Sequence, residues 1–505
     1  MRVAVADVGT NSSHLLIAEA ARGDAGGYRV LDALKDRTRL GECLDGAGNL
    51  TPEGEDRLAS ALTRFRALAS GAGVAEIHVC ATSALREAPN GPEVASRMLA
   101  RTGVYPVIIS GVREGELTYL GAAHAVELGA DSVLLDLGGG SLEFARGDAA
   151  RALDVLSLPL GAIRMRDAFL RADPPGRREL AALDAAVREA LEPHVGRFRV
   201  RPGTRVVLSS GTAEAAAEAI LARRGEEARG VNGTRLSVAE LSELLEYVRN
   251  LKGAARARVP GLERRADTVV AGLATLHAAL GVLGAQEFTV SEGALREGML
   301  IEELTRLEAY SSSISARQRS VLGMAERFGA NLSHSRQVAA LARELLARLR
   351  ALGVDLGAEG EARSVLTAAG ALHEVGQIVA QSAHHKHSAY LIRHAELRGF
   401  TPREIELVAL LSRYHRKSAP KLSHPEFAAL SAADQALVTR WVGILRVADG
   451  LDRSHAGAAR VTGLTRTRDG WQLGVQGATP LDLEGAREKA DVWARAFGPL
   501  TLKAE

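Results

Sequence analysis

Residues 3–19 read VAVADVGTNSSHLLIAE and residues 133–146 read VLLDLGGGSLEFAR. Each has an apolar strand-like run, a short turn rich in Gly, Thr, Asn or Ser, and a second apolar run, the pattern of a β-hairpin. Both contain D-x-G-x-x-S, at Asp7–Ser12 and at Asp136–Ser141, 129 residues apart. Strand-like segments follow each copy: Ile77–Cys80 and Val107–Ser110 after the first, Val206–Ser209 and Phe288–Val290 after the second. Helical patterns separate them. An internal repeat of this kind predicts two α/β lobes of similar build.

Outward from the repeat, a serine-rich break at Ser311–Ser315 follows a helical segment ending near Tyr310. Beyond it the periodicity becomes that of long amphipathic helices, at Gln337–Leu352, Ala358–Gly370, Arg403–Ser412 and Gln435–Leu451. Strand signals return at Arg460–Gly477, and nine of the 14 histidines lie after residue 330. The expected domains are lobe I over 1–125, lobe II over 126–310, a mostly helical, His-rich domain over 316–456, and a small α/β tail over 457–505.

Composition narrows the function. A chain of 505 residues, 46% hydrophobic and 25% charged, is neither disordered, collagenous nor disulfide-stapled. Sixty-three basic against 61 acidic residues give a formal charge of +2. No global field steers polyanions, nucleic acid is not an expected partner, and any anion site must be local. Only seven of those cations are lysine. Cys43 and Cys80 form no CxxC and read as free thiols of a reducing cytosol. The apolar run Val3–Ala6 stops at Asp7, too short for a signal peptide. Thr268–Ala285 carries no charge over 18 residues, but Ala, Gly, Thr and a His dilute its Leu and Val. It reads as a buried helix, with no membrane association and a cytoplasmic setting.

The chemistry begins at the two turns. Successive backbone N–H groups of a glycine-rich turn, here Gly138, Gly139 and Gly140, can converge on an anion without a Cβ in the way. Thr10, Asn11, Ser12 and Ser141 add hydroxyl and amide donors. Asp7 and Asp136 can hold a divalent cation as hard oxygen ligands, and Glu143 can join them. Two such hairpins face to face would clamp adjacent phosphoryl groups. Glu143 shares a strand face with Ser141. Glu114 closes ISGVRE at a strand end before a helical run, where α/β sheets place active-site residues. Phosphoanhydride hydrolysis needs an in-line water, a group to deprotonate it, and cations for the equatorial oxygens. Glu114, Glu143, Arg86 and a bound metal could supply these. The plainer readings are a solvated helix-start carboxylate for Glu114 and a surface cation for Arg86.

Taken in order, DVGTNS (Asp7–Ser12), ATSALREAPNG (Ala81–Gly91), ISGVRE (Ile109–Glu114) with YLG (Tyr119–Gly121), DLGGGSLE (Asp136–Glu143), LPLGAIR (Leu158–Arg164) and SSGT (Ser209–Thr212) closely resemble the exopolyphosphatase / guanosine pentaphosphate phosphohydrolase family. LHEVG (Leu372–Gly376), HHKHSAYLI (His384–Ile392), RYHRK (Arg413–Lys417) and RVADGLDRSH (Arg446–His455) resemble its long form. The resemblance implies an α/β fold of two duplicated ribonuclease-H-like lobes of the actin, sugar-kinase and heat-shock-chaperone ATPase superfamily. An all-α HD-like domain and a small α/β tail would follow them. It implies that Glu114 is the base that activates water, Glu143 a second essential carboxylate, Asp136 an aid at the metal, and Arg86 a phosphate contact. The implied cofactors are Mg²⁺ and a monovalent cation, K⁺ being the candidate. Substrates would be inorganic polyphosphate or guanosine pentaphosphate, and the enzyme a homodimer.

Two positions depart from that family: Arg113 stands where a first acid is common, and Leu142 where a Thr or Ser follows GGGS. His334, His373-Glu374 and Asp449 fall in the order of an HD-type metal site, with Glu374 in place of the usual Asp. A degenerate domain is the favoured expectation there. His384, His385, Lys386, His387, Arg413, Arg416 and Lys417 would then offer a polyphosphate track, along a channel beside the lobes. The competing functions are a guanosine pentaphosphate phosphohydrolase, a non-catalytic polyphosphate or guanosine tetraphosphate sensor, and a sugar or acetate kinase. Glu114, Glu143 and Asp136 argue against the sensor, and the Ala-rich helix after SSGT, poor in base-recognition groups, against the kinase.

Overall fold

The computed structural model describes residues 1–20, 27–226, 230–307 and 314–504. The end of the helical segment near Tyr310 (residues 308–310) and most of the serine-rich break (311–313) lie outside the described residues. The chain divides into two units, Met1–Ala316 and Arg317–Glu505.

The first unit holds two sheets. One contains β1 (Arg2–Val8), β2 (Ser13–Ala20), β3 (Tyr28–Asp36), β4 (Ile77–Ala81) and β5 (Pro106–Ile108), in the order β3-β2-β1-β4-β5. The other contains β6 (Ser132–Leu137), β7 (Leu142–Gly147), β8 (Ala152–Leu158), β9 (Arg205–Ser209), β10 (Arg235–Ser237) and β11 (Glu287–Ser291), in the order β10-β11-β9-β6-β7-β8. In both, the first three strands run antiparallel and the first then pairs in parallel with the fourth. This is the duplicated lobe that the repeat predicted. The turns lie at matching places, with Asp7 opposite His14 and Asp136 opposite Glu143.

Apolar residues fill these strands because both faces of each sheet are covered. Along β1, Ala4, Ala6 and Val8 enter one core while Val3 and Val5 enter another. Along β6, Val133, Leu135 and Leu137 face the main core of lobe II and Leu134 a smaller one. The uncharged stretch expected to be buried is the helix Val269–Leu283, which lies in the lobe II core. No helix of the described residues is long and apolar enough to cross a membrane.

One helix of the stretch 126–310 packs against the first sheet. The helix Leu295–Arg306 buries Leu295, Met299, Leu300 and Ile301 against Val3, Val5 and Leu16. It crosses the helix Gly111–Ala125 at two glycines. A Cβ on Gly298 would lie 1.8 Å from the Leu117 carbonyl oxygen, and one on Gly121 would lie 2.1 Å from that of Ala294. Only glycine permits this approach.

In the second unit the helices Leu332–Ala351, Glu359–Leu372, His384–His394, Pro402–Tyr414 and Ala432–Gly450 surround a core centred on Trp441. The tail forms a sheet of β12 (Arg460–Thr467), β13 (Gly470–Gln476) and β14 (Leu500–Ala504). It has no core of its own: Trp471, Leu473, Val475 and Trp493 enter the core of the helices. A stretch of about 50 residues is marginal as a separate core. Cys43 is buried, Cys80 half-buried, and both are free.

Candidate active site

The two turns, the β4–helix loop and the start of the helix Gly111–Ala125 meet within the first unit. The second turn is shaped by its carbonyls. Gly138 O accepts from Ala162 N at 2.9 Å, Gly139 O from Ile163 N at 3.0 Å, and Gly140 O from Gly161 N at 3.2 Å and Arg164 Nε at 2.9 Å. Drawing three successive carbonyls to one side leaves the intervening N–H groups facing the other, an anion-binding arrangement. The LPLGAIR segment is what pulls them over. A Cβ at Gly161 would lie 2.3 Å from the Gly140 carbonyl carbon, so the close approach requires glycine there. In the first turn, Thr10 O and Asn11 O accept from Gly41 N and Arg39 N, both at 2.9 Å, with the same effect. The turns are adjacent: a Cβ at Gly140 would lie 2.1 Å from Ser83 Oγ and 3.1 Å from Thr10 Oγ1.

Glu114 sits in the first turn of its helix, whose N-cap Ser110 Oγ accepts from Arg113 N at 3.1 Å. It is only 8% exposed, and Arg86 Nη1 donates to its Oε2 at 2.7 Å while also reaching Ile109 O at 3.2 Å. Arg86 is thus no free surface cation. Glu143 is fully buried: Ser157 Oγ donates to Oε1 at 2.7 Å, and Oε2 has no hydrogen-bond partner. A Cβ on Gly115 would touch Glu143 Cβ at 3.7 Å, which places Glu143 beside the residue that follows Glu114. A cavity of about 370 Å³ opens here, lined by Arg86, Glu87, Ser110, Ser141 and Ser157 among others.

The carboxylates act on one another. Burial pushes Asp136 up to about 7, with Glu114 and Asp7 adding repulsion. Burial likewise raises Asp7 to about 7 against the pull of Arg296, whose Nε stands 3.9 Å from Asp7 Oδ1. Burial raises Glu114 despite Arg86, and raises Glu143 well above the carboxylate range, helped by Glu114 and Asp136. His14 Nδ1 is 3.6 Å from Asp7 Oδ1 but brings no charge, because burial and Arg296 lower its pKa. Asp7 Oδ1, like Glu143 Oε2, is buried without a hydrogen-bond partner. A crowd of hard oxygens with orphaned lone pairs fits Mg²⁺. Asp7, Asp136 and Glu143 are the residues that would hold it, partly through water, because among the described residues these carboxylates do not form a set with oxygens within 4.8 Å of one another.

The structure therefore brings together Asp7, Thr10, Arg86, Glu114, the Gly138–Ser141 turn and Glu143. The two departures from the family fall outside the cleft. Arg113 is turned to Glu116 at 3.2 Å and to Glu302, and Leu142 is fully buried in the lobe II core. Ser83, Ser157 and Arg164 belong to the site and stood inside or beside quoted motifs. Arg265 and Arg296 stood in none. Arg265, whose guanidinium packs against Gly211, and Arg296 reach the site from remote helical and loop segments.

In the second unit His384, Arg416 and Lys417 of the expected track line one cavity of about 430 Å³. Lys386 is exposed, His385 is buried, and Arg413 packs over the Tyr414 ring at 5.8 Å. His334, His373, Glu374 and Asp449 do meet: His334 Nε2 lies 3.7 Å from Asp449 Oδ1 and 3.9 Å from Glu374 Oε2.

Comparison with known proteins places the chain in a family. The model of the Ppx/GppA phosphatase family matches residues 17–307, and that of Ppx/GppA phosphatase, domain III, matches residues 316–481. Exopolyphosphatase 1 of Mycobacterium tuberculosis is 35% identical over 347 residues, covering 66% of this chain and 98% of the relative. That of Mycobacterium leprae is 34% identical over 317 residues, covering 60% and 90%. Among solved structures, an exopolyphosphatase from Cytophaga hutchinsonii superposes with a TM-score of 0.57 at 28% identity, covering 62% of this chain and 100% of that one. The Aquifex aeolicus Ppx/GppA family member gives 0.54 at 25%, covering 62% and 99%. The chain belongs to the Ppx/GppA phosphatase family.

Proposed function

We propose that the protein is an exopolyphosphatase that releases orthophosphate from the ends of inorganic polyphosphate. The observation that carries this reading is the meeting of two anion-type turns with Arg86, two buried carboxylates (Glu114 and Glu143) and two half-buried ones (Asp7 and Asp136) in one cleft. The turns, with Thr10, Asn11, Ser12 and Gly138–Ser141, bind adjacent phosphoryl groups. Glu114 takes the proton of the attacking water; its Oε2 is held by Arg86, which orients the carboxylate and reaches the terminal phosphate. Ser157 fixes Glu143 beside it. Asp7, Asp136 and Glu143, directly or through water, would hold Mg²⁺, which would supply charge neutralisation for the phosphate oxygens. K⁺, a homodimer and a cytoplasmic setting complete the reading that the family resemblance suggests. In the second unit the polyphosphate contacts reduce to Arg416 and Lys417, which share a cavity with His384.

Polymer is favoured over guanosine pentaphosphate by the lining of the 370 Å³ cavity, which includes no aromatic ring on which guanine could stack. A phosphate chain needs none. The test supplies purified protein and Mg²⁺ with long polyphosphate, tripolyphosphate or guanosine pentaphosphate and measures released phosphate. Release from long polyphosphate with the highest kcat/KM is expected. Preference for the nucleotide would replace this reading with the phosphohydrolase, and release from none would leave a sensor.

A further inference from the structure

Four buried histidines of the second unit share one detail. Each commits Nδ1 to an oxygen: His334 to Asp452 Oδ2 at 2.8 Å, His373 to Gly370 O at 2.9 Å, His384 to Gln381 O at 3.0 Å and His415 to Ser412 O at 2.7 Å. A carbonyl or carboxylate can only accept, so Nδ1 carries a proton in each ring, and in the neutral ring each Nε2 then carries a lone pair. All four Nε2 atoms point into the same space. Those of His334 and His373 are buried with no hydrogen-bond partner, and those of His384 and His415 stand 3.3 Å apart, lone pair to lone pair.

Two carboxylates complete the cluster. His334 Nε2 and His373 Nε2 both lie 3.7 Å from Asp449 Oδ1. Lys489 pairs with the other oxygen of Asp449, leaving Oδ1 aimed at the rings. Glu374 spans the cluster, with Oε2 3.9 Å from His334 Nε2 and Oε1 3.9 Å from His384 Nε2. These separations are too long for hydrogen bonds. Donors held about 2.1 Å from one ion lie about 3.0–4.2 Å from each other, which is the observed range. Two donor triads, His334–His373–Glu374 and Glu374–His384–His415, thus share one glutamate. Acceptors facing acceptors in a buried space are costly unless a cation sits among them. The side-chain cations at the cluster do not enter it: Lys489 pairs with the outer oxygen of Asp449, and Arg416 touches only the His384 ring, at 3.2 and 3.4 Å.

We infer that the second unit binds two first-row divalent transition-metal ions, one on His334, His373 and Asp449, the other on His384 and His415, with Glu374 bridging them. Imidazole-rich sets of this kind select Mn²⁺, Fe²⁺, Co²⁺ or Zn²⁺ over Mg²⁺, so the centre is chemically distinct from the oxygen-only site of the lobes. The Nδ1 acceptors are the outer partners that orient metal-bound histidines.

The full chain, stripped by a chelator and kept in excess Mg²⁺ to fill oxygen sites, is titrated with Co²⁺. Visible absorption and elemental analysis are followed. Wild type is expected to take up about two equivalents with the intense d–d bands of imidazole-bound Co²⁺. Glu374→Gln keeps the side chain's shape on a half-buried residue and should lose at least one equivalent, with at least tenfold weaker binding of the rest. His384→Asn should lose one equivalent and keep the other. Equal stoichiometry and affinity in wild type and Glu374→Gln, or only the weak bands of aqueous Co²⁺ in wild type, would overturn the assignment. The wild-type spectrum stands whether or not a variant folds.

Discussion

Removing divalent cations should make the first unit less stable as the pH rises from about 4 to about 7. Asp7 and Asp136 each move from 3.8 to about 7, burial being the first cause in both. The folded chain then holds protons that the unfolded chain has released in that window, so unfolding releases protons and stability falls with rising pH. A shift of about three units corresponds to roughly 4 kcal/mol for one carboxylate above pH 7. The two repel each other and share neighbours, so the pair contributes less than twice that. After local relaxation a net loss of about 2–4 kcal/mol is expected, a fall of roughly 3–6 °C in the melting temperature of a unit this size. Mg²⁺ bound at these carboxylates would hold both ionised and remove the loss. The assay compares thermal unfolding in chelator and in saturating Mg²⁺ between pH 5 and 8. Stabilisation by Mg²⁺ should be small at pH 5 and grow through pH 7, and Asp7→Asn should flatten the slope. Equal stabilisation at pH 5 and 8 would refute the reasoning.

Other perturbations probe single contacts. Glu143→Gln keeps the bond from Ser157 and removes a charge that burial disfavours, so its melting temperature should not fall, whereas the Mg²⁺ needed for half-maximal rate should rise at least about tenfold. Arg86→Lys keeps a charge but loses the planar guanidinium, whose remaining N–H groups would face phosphate while Nη1 holds Glu114, and should lower kcat/KM by about tenfold or more in phosphate-release kinetics. Gly298→Ala places a methyl against the Leu117 carbonyl. It should cost about 1–3 kcal/mol in denaturant melts and lower kcat by shifting the helix that carries Glu114, though it touches no reacting group.

How far the sequence reaches differs between regions. The repeated D-x-G-x-x-S hairpins were legible because strand, turn and strand are local, and a duplication shows itself at a fixed spacing. Glu114 and Glu143 were legible for the same reason, each lying within a few residues of a turn or strand end. What the sequence hides is closure across distance. The helix Leu295–Arg306 returns to lobe I because its apolar face fits Val3, Val5 and Leu16, a match no periodicity announces. Arg296 rides on that helix to Asp7, nearly 290 residues away in the chain, and Lys489 reaches Asp449 from the tail. In LPLGAIR the motif could be seen but not its work, which is to draw the carbonyls of the second turn aside. The histidines of the second unit were conspicuous in number. Their shared tautomer depends on Gly370, Gln381 and Ser412 carbonyls that only the folded helices bring into place.

Glu114→Gln tests the central claim most directly. Orthophosphate release from long polyphosphate and equilibrium binding of the same polymer are measured on wild type and variant in Mg²⁺. If Glu114 deprotonates the attacking water, release falls about 10²–10⁴-fold, or roughly 3–5 kcal/mol in the barrier. Binding is unchanged or tighter, since a negative charge has left a polyanion site. A variant that hydrolyses within about fivefold of wild type, or that loses rate only in step with binding, would contradict the account.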